Sequence, residues 1–492
     1  MKTRIQNLFL LPALTAGLGL TLAGPAAAQT FSNLHIFTAL SAPAYNGGTN
    51  KDGANPLAVL ILSGNKLYGT AANGGSSSNG TVFAVNIDGT GFTNLHSFTG
   101  GSDGAYPQAG LILSGTNLYG MANGGGSSGN GTVFRVNTNG TVFATLHSFT
   151  GVNDGANPLG GLILSGTNLY GTANGGGSSG NGTVFRVNTN GTVFATLHSF
   201  TALDLTSNTN TDGANPQGGL ILSGTNLFGT ASAGGAGGNG TVFAVSTNGA
   251  GFTNLHSFTA LDPTYYTNSD GANPVAGLIL SGNTLYGTAN DGGALNYGTV
   301  FAVNTNGTGF TTLHSFTAMS GPLSTNSDGA YPAAGLILSG NTLYGTAQYG
   351  GNSGNGTVFA INTNGTVFTT LHSFTATSGL LSTNSDGANP ASGLVLSSNI
   401  LYGTAFQGGS SGNGTVFKMA PPAPILSAQR SGGNFLFGFS AFPGASYTVQ
   451  QTTNLAGTNW IAFTNIFGSG TVTQFAVPAT NAAWLFFRVR QP

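Results

Sequence analysis

One unit of sequence recurs seven times along the chain, and this repeat limits the fold more than any other feature. Each copy contains the tetrapeptide Gly-Thr-Val-Phe after a glycine-rich segment, and the copies follow one another at steps of 51, 51, 58, 58, 58 and 58 residues. Self-similarity at a fixed period of about 50 residues is typical of a propeller, in which each repeat forms one blade. The tetrapeptides begin at Gly80, Gly131, Gly182, Gly240, Gly298, Gly356 and Gly414.

The second copy is predicted to form four short strands. Residues 110–113 are an apolar run, residues 118–121 and 132–137 contain aromatic and β-branched side chains, and residues 142–149 follow a Thr-Asn-Gly turn. The intervening segments are rich in Gly, Asn and Ser, which favour turns, and no segment shows the 3.6-residue period of an amphipathic helix. Four strands in each of seven copies predict an all-β chain with a seven-bladed β-propeller.

The fourth strand of the repeat is displaced in one copy. Leu-His-Ser-Phe closes this strand six times, whereas the last copy ends at Phe417 without it. The related sequence Leu34-His35-Ile36-Phe37 lies ahead of the first copy instead. We therefore expect residues 33–38 to complete the seventh blade and to close the ring.

Residues 1–28 are predicted to be a secretory signal peptide. Two basic residues precede an apolar segment that ends in Ala26-Ala27-Ala28, so cleavage is expected near Ala28. A membrane anchor is the less favoured alternative because Pro12 and several glycines interrupt the apolar segment. No later segment reaches the roughly 20 apolar residues of a spanning helix. We expect a secreted or cell-surface protein whose mature chain has no transmembrane segment.

The mature chain is predicted to contain two domains. Residues 29–420 form the propeller, residues 421–424 are a Pro-rich linker, and residues 425–492 contain short alternating strands and both tryptophans. We expect this tail to be a small β-sandwich. Through Thr452-Thr453-Asn454-Leu455, Trp460 and residues 486–490, it resembles the fibronectin type III-like tails of exported bacterial proteins.

Composition excludes several kinds of site. The chain has no Cys, which excludes disulfides, thiol catalysis and Cys-ligated metals. Only 4% of the residues are charged, and the few Lys and Arg are dispersed, so nucleic acid is not an expected partner. We expect a monomer without a cofactor, and no residue pattern calls for calcium.

The repeat resembles a known family. Its elements Asp-Gly-Ala-Asn/Tyr-Pro, Gly-Leu-Ile-Leu-Ser-Gly, Leu-Tyr-Gly-Thr-Ala, Gly-Thr-Val-Phe and Leu-His-Ser-Phe are similar to the GloVer tandem repeat of exported bacterial β-propeller proteins, and the similarity extends from Ser32 to about Lys418. The resemblance implies export and surface display. It supplies no catalytic motif and no defined ligand.

Each copy carries one His and one Asp. The histidines fall on the predicted outermost strands, too far apart to share a metal ion, so a repeated structural hydrogen bond is the favoured interpretation. The aspartates lie in turns that are expected near the mouth of the central channel, where a ring of carboxylates would attract cations or basic ligands. A structural role in the turn is again favoured. These residues are Asp52, Asp103, Asp154, Asp212, Asp270, Asp328 and Asp386.

One face of the propeller is predicted to collect the sequence variation. Strand direction alternates, so the loops before the first strands and those between the second and third strands open on the same face. Insertions fall there at residues 201–211, 259–269, 317–327 and 375–385, and the loop at residues 38–51 is longer still. Aromatic residues outside the repeat pattern also fall there and are the candidate ligand-binding residues. They are Tyr45, Tyr106, Tyr265, Tyr266, Tyr297, Tyr331, Tyr349 and Phe406.

The favoured function is recognition of a glycan or another extracellular polymer through this variable face. Aromatic rings beside Asn, Ser and Asp suit stacking on sugars and hydrogen bonding to hydroxyl groups. The alternative is a structural or adhesive surface protein in which the propeller is a scaffold and the C-terminal domain is the attachment module. A hydrolase or lyase is least favoured, because every acidic residue except Asp88, Asp204, Asp262 and Asp291 belongs to the repeated turn, and glycoside hydrolysis usually needs a dedicated pair of carboxylates.

Overall fold

The computed structural model describes residues 9–11, 31–42, 47–420, 425–431, 434–440, 446–452, 461–467, 472–478 and 485–490. Within these ranges all regular elements are strands, and no helix of membrane-spanning length and apolarity occurs. The chain divides into two compact units. One comprises residues 33–395 and 402–417, and the other comprises residues 1–32, 396–401 and 418–492.

The repeats form seven four-stranded antiparallel sheets in a ring, so the propeller is confirmed. In chain order, β1 (Phe9–Leu11) and β2 (Phe31–Ile36) precede blade 1. Blades 1 to 3 are β3 (Ile61–Ser63), β4 (Lys66–Ala71), β5 (Thr81–Asn86) and β6 (Thr93–Ser97); β7 (Ile112–Ser114), β8 (Asn117–Ala122), β9 (Thr132–Asn137) and β10 (Phe143–Ser148); and β11 (Ile163–Ser165), β12 (Asn168–Ala173), β13 (Thr183–Asn188) and β14 (Phe194–Ser199).

The remaining blades repeat this arrangement. Blades 4 to 6 are β15 (Ile221–Ser223), β16 (Asn226–Ala231), β17 (Thr241–Ser246) and β18 (Thr253–Ser257); β19 (Ile279–Ser281), β20 (Thr284–Ala289), β21 (Thr299–Asn304) and β22 (Thr311–Ser315); and β23 (Ile337–Ser339), β24 (Thr342–Ala347), β25 (Thr357–Asn362) and β26 (Phe368–Ser373). Blade 7 combines β27 (Val395–Ser397), β28 (Ile400–Ala405) and β29 (Thr415–Met419) with β2.

The ring closes through the N-terminal strand, as the displaced Leu-His sequence predicts. In blade 7 the order is β27, β28, β29 and then β2 at the outer edge. Beyond β2, the Phe37 N–H donates to the Gly414 carbonyl at 3.1 Å, and the Asn413 amide donates to the Thr38 carbonyl at 2.7 Å. The strand begins at Phe31, two residues earlier than predicted.

The first strand of each blade is shorter than its apolar sequence suggests. In blade 2 it covers Ile112–Ser114 rather than residues 110–113. The residues just before it line the ring axis, where neighbouring blades approach closely. A Cβ on Gly277, for example, would lie 2.9 Å from the Gly219 carbonyl oxygen of the preceding blade. A threonine hydroxyl of the preceding blade also bonds to this segment, as where Thr230 donates to the Ala276 carbonyl at 2.8 Å.

Aromatic rings fill the seams between adjacent blades. Phe98, which follows the last strand of blade 1, is fully buried and packs edge-to-face on Phe134 of blade 2 at 5.1 Å. Phe134 in turn stacks on Phe143 at 5.6 Å. Burial of one such ring stabilises the fold by about 1.5–3 kcal/mol. Because the rings come from two blades, each blade depends on its neighbour.

The C-terminal unit contains two antiparallel sheets. Its strands are β30 (Ile425–Ser431), β31 (Asn434–Ser440), β32 (Ser446–Thr452), β33 (Ile461–Phe467), β34 (Val472–Pro478) and β35 (Leu485–Arg490). One sheet has the order β30, β31, β34, and the other has the order β1, β35, β32, β33.

The C-terminal strands agree with the predicted all-β tail. The domain boundaries and the fibronectin type III-like character stay predictions. The linker at residues 421–424, Trp460 and most of the predicted signal peptide lie outside the described residues; β1 is the described part of that peptide.

Candidate functional site

A repeated set of hydrogen bonds holds the single His and Asp of each repeat. In blade 4, Nε2 of His256 lies 3.0 Å from Oδ2 of Asp270. The Thr259 N–H donates to Oδ2 at 3.0 Å, and its hydroxyl donates to Oδ1 at 2.5 Å. The Asp270 carbonyl accepts from Thr299 of blade 5 at 3.0 Å. We call the His, Thr and Asp of this set the clamp, because it links the outer edge of one blade to the next.

All seven copies of the clamp are present in the structure. The Nε2–Oδ2 distances are 2.8–3.0 Å throughout. The predicted structural hydrogen bond at the outer edge of each blade is therefore confirmed. The pairs are His35–Asp52, His96–Asp103, His147–Asp154, His198–Asp212, His256–Asp270, His314–Asp328 and His372–Asp386.

The clamp shifts the pKa values of its Asp and His side chains. Burial by itself raises the pKa of Asp52, but hydrogen bonds from His35 and Thr38 outweigh it, and the pKa lies below its usual value. Burial lowers the pKa of His96 and His147 by more than the neighbouring carboxylates raise it. Both imidazoles therefore resist protonation, and a neutral ring donates its Nε2–H to the carboxylate.

The seven aspartates do not form a ring of free carboxylates at the channel mouth. In Asp270, His256 and the Thr259 backbone occupy Oδ2, and the Thr259 hydroxyl occupies Oδ1. The carboxylate thus faces the outermost strand of the preceding blade. This geometry agrees with a structural role in the turn, which stays the favoured interpretation.

A β-bulge sets the direction of the clamp histidine. The residue pattern of the strand does not predict this bulge. In blade 1, Val82 lies opposite His96, whereas Phe83 lies opposite Asn94, so Leu95 has no partner in the ladder. The extra residue lets Leu95 be buried while His96 stacks on Phe143 of the next blade at 3.8 Å. Bulges commonly redirect side chains in this way.

The insertions and the loops between second and third strands lie together, as predicted. Asn326, in the insertion at residues 317–327, donates to the Thr317 and Gly329 carbonyls at 2.8 Å. Its side-chain oxygen accepts the Gly351 N–H of the loop between the second and third strands of blade 6 at 2.8 Å. We call the surface formed by these two sets of loops the loop face.

Three of the candidate aromatic residues meet on the loop face between blades 5 and 6. Tyr297 and Tyr331 have ring centroids 5.6 Å apart at an interplanar angle of 62°. Tyr331 and Tyr349 are 5.9 Å apart at 86°. Tyr297 and Tyr331 are half-buried, and Tyr349 is 42% exposed. We call these residues the tyrosine cluster.

Backbone hydrogen bonds bring the tyrosine cluster together. The Tyr331 N–H donates to the Tyr297 carbonyl at 2.9 Å across the blade seam, and Ala330 and Tyr349 exchange bonds of 2.8 and 3.1 Å. Equivalent bonds occur in the other repeats, for example from Asn157 to the Asn130 carbonyl. The repeat fold therefore fixes three positions side by side, and the side chains placed there decide the chemistry.

The tyrosine cluster departs from the repeat at each of its positions. Six repeats have Asn where Tyr297 stands, and five have Asn where Tyr331 stands. At the position of Tyr349, blade 5 has Asp291, and the other blades have Asn, Gly, Ala or Gln. Three unusual residues, Tyr297, Tyr331 and Tyr349, thus meet at the seam between blades 5 and 6.

Tyr331 adopts a backbone conformation that an aromatic residue rarely takes. Its φ is 57°, in the left-handed region that Gly and Asn tolerate best. Burial and the nearby Tyr297, Asp291 and Tyr349 raise the pKa of its phenol. The hydroxyl therefore remains protonated near neutral pH and can donate a hydrogen bond.

Asp291 lies at the seam between blades 4 and 5, at the position that Tyr349 occupies between blades 5 and 6. Its Oδ2 accepts the Asn273 amide at 2.6 Å, and its Oδ1 accepts the Asn290 amide at 3.1 Å. Both partners are neutral, so the carboxylate charge is uncompensated by them. Asp291 is not among the candidate residues predicted from sequence. Alignment of the repeats reveals it, because the other blades have Asn, Gly, Ala, Tyr or Gln at this position.

The other candidate residues lie apart from the tyrosine cluster. Tyr265 and Tyr266 are 73% and 58% exposed on the insertion at residues 259–269. Tyr106 is exposed at the seam between blades 1 and 2, and Phe406 is half-buried between blades 7 and 1. Tyr45 lies outside the described residues. No group of three or more potential metal-ligating side chains occurs in the described part of the chain.

Sequence comparison assigns the repeat to a family. A profile of the Gloeobacter/Verrucomicrobia repeat matches residues 29–208, 203–322 and 263–475. The chain belongs to the Gloeobacter/Verrucomicrobia repeat family. These matches cover the repeats and part of the tail, in agreement with the resemblance in the sequence. A comparison with curated proteins gives no match.

Solved propeller structures resemble this Gloeobacter/Verrucomicrobia repeat protein at low sequence identity. An oligogalacturonate lyase in complex with manganese has 11% identity and a TM-score of 0.44, with 82% of this chain and 99% of that chain covered. A Mycobacterium tuberculosis puromycin-hydrolyzing peptidase has 10% identity and a TM-score of 0.44, with 80% and 62% covered. TolB from Acinetobacter baumannii has 10% identity and a TM-score of 0.33, with 77% and 75% covered. These similarities concern the fold alone.

Proposed function

We propose that this protein is a non-catalytic binding protein that recognises an extracellular glycan through the tyrosine cluster on the loop face. The convergence of Tyr297, Tyr331 and Tyr349 at one seam carries the proposal. Export and surface display are part of it and rest on the signal peptide predicted at residues 1–28. A rigid ring that presents variable loops is a common scaffold for recognition.

The chemistry around the tyrosine cluster suits a carbohydrate. Tyrosine offers a flat apolar face for a sugar ring and a hydroxyl that bonds to sugar oxygens. Gln348 lies beside Tyr331, whose carbonyl accepts the Gln348 N–H at 3.2 Å, and its side-chain amide can pair with a hydroxyl group. The surroundings are polar and uncrowded by Lys or Arg, because residues 187–417 contain neither.

Backbone strain at Tyr331 supports a functional role. A non-glycine residue in a sparsely populated region costs on the order of 1–3 kcal/mol, and such residues cluster at binding sites. Asn, which tolerates this conformation, occupies the same position in five repeats. Tyr106 shares this conformation, with φ 56°, so the strain supports a role for Tyr331 only together with its ring contacts to Tyr297 and Tyr349.

The repeat itself provides variants that test the proposal. Tyr297→Asn, Tyr331→Asn and Tyr349→Gly each restore a residue found at the same position in other blades. The triple variant should keep its circular dichroism spectrum and lose glycan binding at least tenfold on a glycan array and by calorimetry. Tyr106→Asn makes the same change at the equivalent position in blade 2 and should leave binding unchanged.

Two results would contradict this function. If the wild-type protein bound no glycan, the structural or adhesive role would be preferred. If it bound a glycan with equal affinity in the triple variant, the binding site would lie elsewhere, and Tyr265 and Tyr266 would be the next residues to replace.

A further inference from the structure

We infer that the mature protein forms a dimer in which the edge of strand β35 pairs with β35 of a second copy. This inference concerns the C-terminal unit and goes beyond the proposed function, and it revises the monomer expected from sequence. It is carried by the strand that covers this edge in the full chain. That strand is β1, which pairs with β35 and belongs to the predicted signal peptide.

Removal of the predicted signal peptide would expose the backbone of β35. Among the described strands, β1 is the one that pairs with β35 on the side away from β32. Cleavage near Ala28 leaves Gln29 and Thr30 ahead of β2, and β2 is the outer strand of blade 7. The new N-terminus is therefore too short to supply another strand. The unpaired N–H and C=O groups of an edge strand are a template for pairing with a second chain.

Strand β35 lacks two features by which edge strands commonly avoid such pairing, namely β-bulges and Pro. Its ladder with β32 runs from the Thr448–Arg490 pair to the Thr452–Phe486 pair without a register shift. The other three edges of the described C-terminal sheets differ from it. The ladders of β33 and β30 contain register shifts, and β34 ends at Pro478.

Alternate residues of β35 fall on opposite faces of the sheet. Val489 lies opposite Val449 of β32, and Val449 is fully buried. Residues 485, 487 and 489 therefore share a face of the sheet with Val449. On this face β1 places Phe9 opposite Phe487 and Leu11 opposite Leu485. The strand that covers the edge thus offers Phe and, two positions later, a branched aliphatic residue.

A second copy of β35 offers the same pattern. Antiparallel pairing centred on Phe487 gives residues 487–489 of the second copy, Phe-Arg-Val, the register that residues 9–11, Phe-Leu-Leu, have in β1. Arg488 of each copy then lies opposite Phe486 of the other, and such a pair is favourable through cation–π attraction. A shift of one residue would exchange the two faces, whereas a centre at Arg488 would place two like charges opposite each other.

This pairing is symmetric, as expected of a dimer of identical chains. It joins β35, β32 and β33 of both copies into one continuous sheet. Residues 418–492 contain four basic residues and no acidic one, so the two C-terminal units repel each other at long range. Added salt should therefore strengthen the dimer, because it screens this repulsion. The basic residues are Lys418, Arg430, Arg488 and Arg490.

The test measures the dimer dissociation constant of the chain that begins at Gln29 by analytical ultracentrifugation. Phe486→Lys places a like charge opposite Arg488 and should weaken the dimer by about tenfold or more. Phe486→Glu changes the same position to the opposite charge and should keep the dimer. Ile461→Lys is the control on the other edge strand, β33, where Ile461 is 66% exposed, and it should also keep the dimer. Circular dichroism spectra should be the same in all variants.

A competing peptide tests the connection to β1. A peptide of residues 6–12 with a lysine tail for solubility offers the β1 strand to the same edge. In excess it should convert the dimer to monomer. The same peptide with Phe9→Asn and Leu11→Asn lacks the pattern that faces Phe487 and Leu485, and it should leave the dimer intact.

Each opposite result would overturn a defined part of the inference. A wild-type chain that sediments as a monomer at every concentration would overturn the dimer. Equal weakening by Phe486→Lys and Phe486→Glu would overturn the register centred on Phe487. Weakening by Ile461→Lys alone would overturn the assignment to β35, as would a dimer that the peptide of residues 6–12 does not dissociate. Glycan binding to the tyrosine cluster should be unchanged in Phe486→Lys, so the proposed function is tested separately.

Discussion

Nε2 of His256 lies 3.0 Å from Oδ2 of Asp270, although the two residues are fourteen positions apart in sequence. The equivalent His96 and Asp103 are only seven positions apart, and their atoms are also 3.0 Å from each other. The bond is therefore kept whether or not an insertion lies between its partners. This indicates that the clamp is part of the scaffold, while the insertions vary on top of it.

Asp270→Asn is expected to destabilise the propeller. The carboxylate accepts three hydrogen bonds, and an amide in its place would turn a donor toward groups that are donors themselves. Hydrogen bonds to a charged group contribute about 1.5–3 kcal/mol each, so we expect a loss of about 2–3 kcal/mol in the free energy of unfolding. Urea titration would measure it.

The control for this change is Asp262→Asn. Asp262 is on the same insertion and bonds only to backbone N–H groups of its own loop. We expect a loss under about 1 kcal/mol there. Equal losses in both variants would show that the clamp has no special role in stability.

The propeller is expected to lose stability in acid in two stages. His96 and His147 have lowered pKa values in the folded state, mainly through burial. Protons therefore bind preferentially to the unfolded chain once the pH falls below 6.5, the usual histidine pKa. The free energy of unfolding decreases in this pH range. The pKa values of Asp52, Asp154, Asp212, Asp270 and Asp386 are also lowered, despite burial, by clamp hydrogen bonds. A second decline in stability should begin near pH 3.8, the usual Asp pKa, and continue as the pH falls further.

Melting temperatures measured from pH 8 to pH 3 test this expectation. A double variant, His96→Gln with His147→Gln, should melt lower at pH 8 and show a weaker decline between pH 7 and pH 5, because the two shifted imidazoles are gone. A wild-type melting temperature that rose on acidification would contradict the sign of the effect.

The ring closure could be predicted from sequence because the repeats contain seven copies of the first three strands but only six copies of Leu-His-Ser-Phe. Leu34-His35-Ile36-Phe37 is the fourth-strand sequence placed before the first repeat, and blade 7 lacks its own copy. The clamp was harder to predict as a pair. His and Asp lie a variable distance apart in sequence, and the bulge that leaves Leu95 unpaired redirects His96 without any mark in the residue pattern.

The tyrosine cluster was predicted only as separate residues. Tyr297, Tyr331 and Tyr349 appeared among eight aromatic candidates, and nothing in their order along the chain shows that they meet. Their contact depends on the N–H of Tyr331 bonding across the seam to Tyr297 and on the bridge between Ala330 and Tyr349. These contacts depend on how the ring places neighbouring blades, and the secondary-structure propensity of each segment does not reveal them.

Removal of the N-terminal strand should open the ring. Phe37 is fully buried and packs edge-to-face on Phe83 at 5.4 Å, and His35 completes the clamp with Asp52. Loss of a buried Phe alone costs about 3–5 kcal/mol. A chain that begins at Thr38 should melt well below one that begins at Gln29. Equal melting curves would contradict closure by this strand.

Gly354→Ala should disturb the insertion at residues 317–327, whereas Gly129→Ala, the matched change in blade 2, should not. Gly354 has φ +78°, and a Cβ there would meet the Leu323 carbonyl oxygen at 2.1 Å. Gly129, at the equivalent position in blade 2, has φ +77° and open space around the same Cβ. Both substitutions carry the left-handed penalty of about 1 kcal/mol, so their difference isolates the contact with the insertion. Hydrogen exchange should accelerate at the Ser320 and Thr325 amides, which bond to each other's carbonyls, in Gly354→Ala and not in Gly129→Ala. Equal exchange in both variants would show that the insertion does not rest on the loop beneath it.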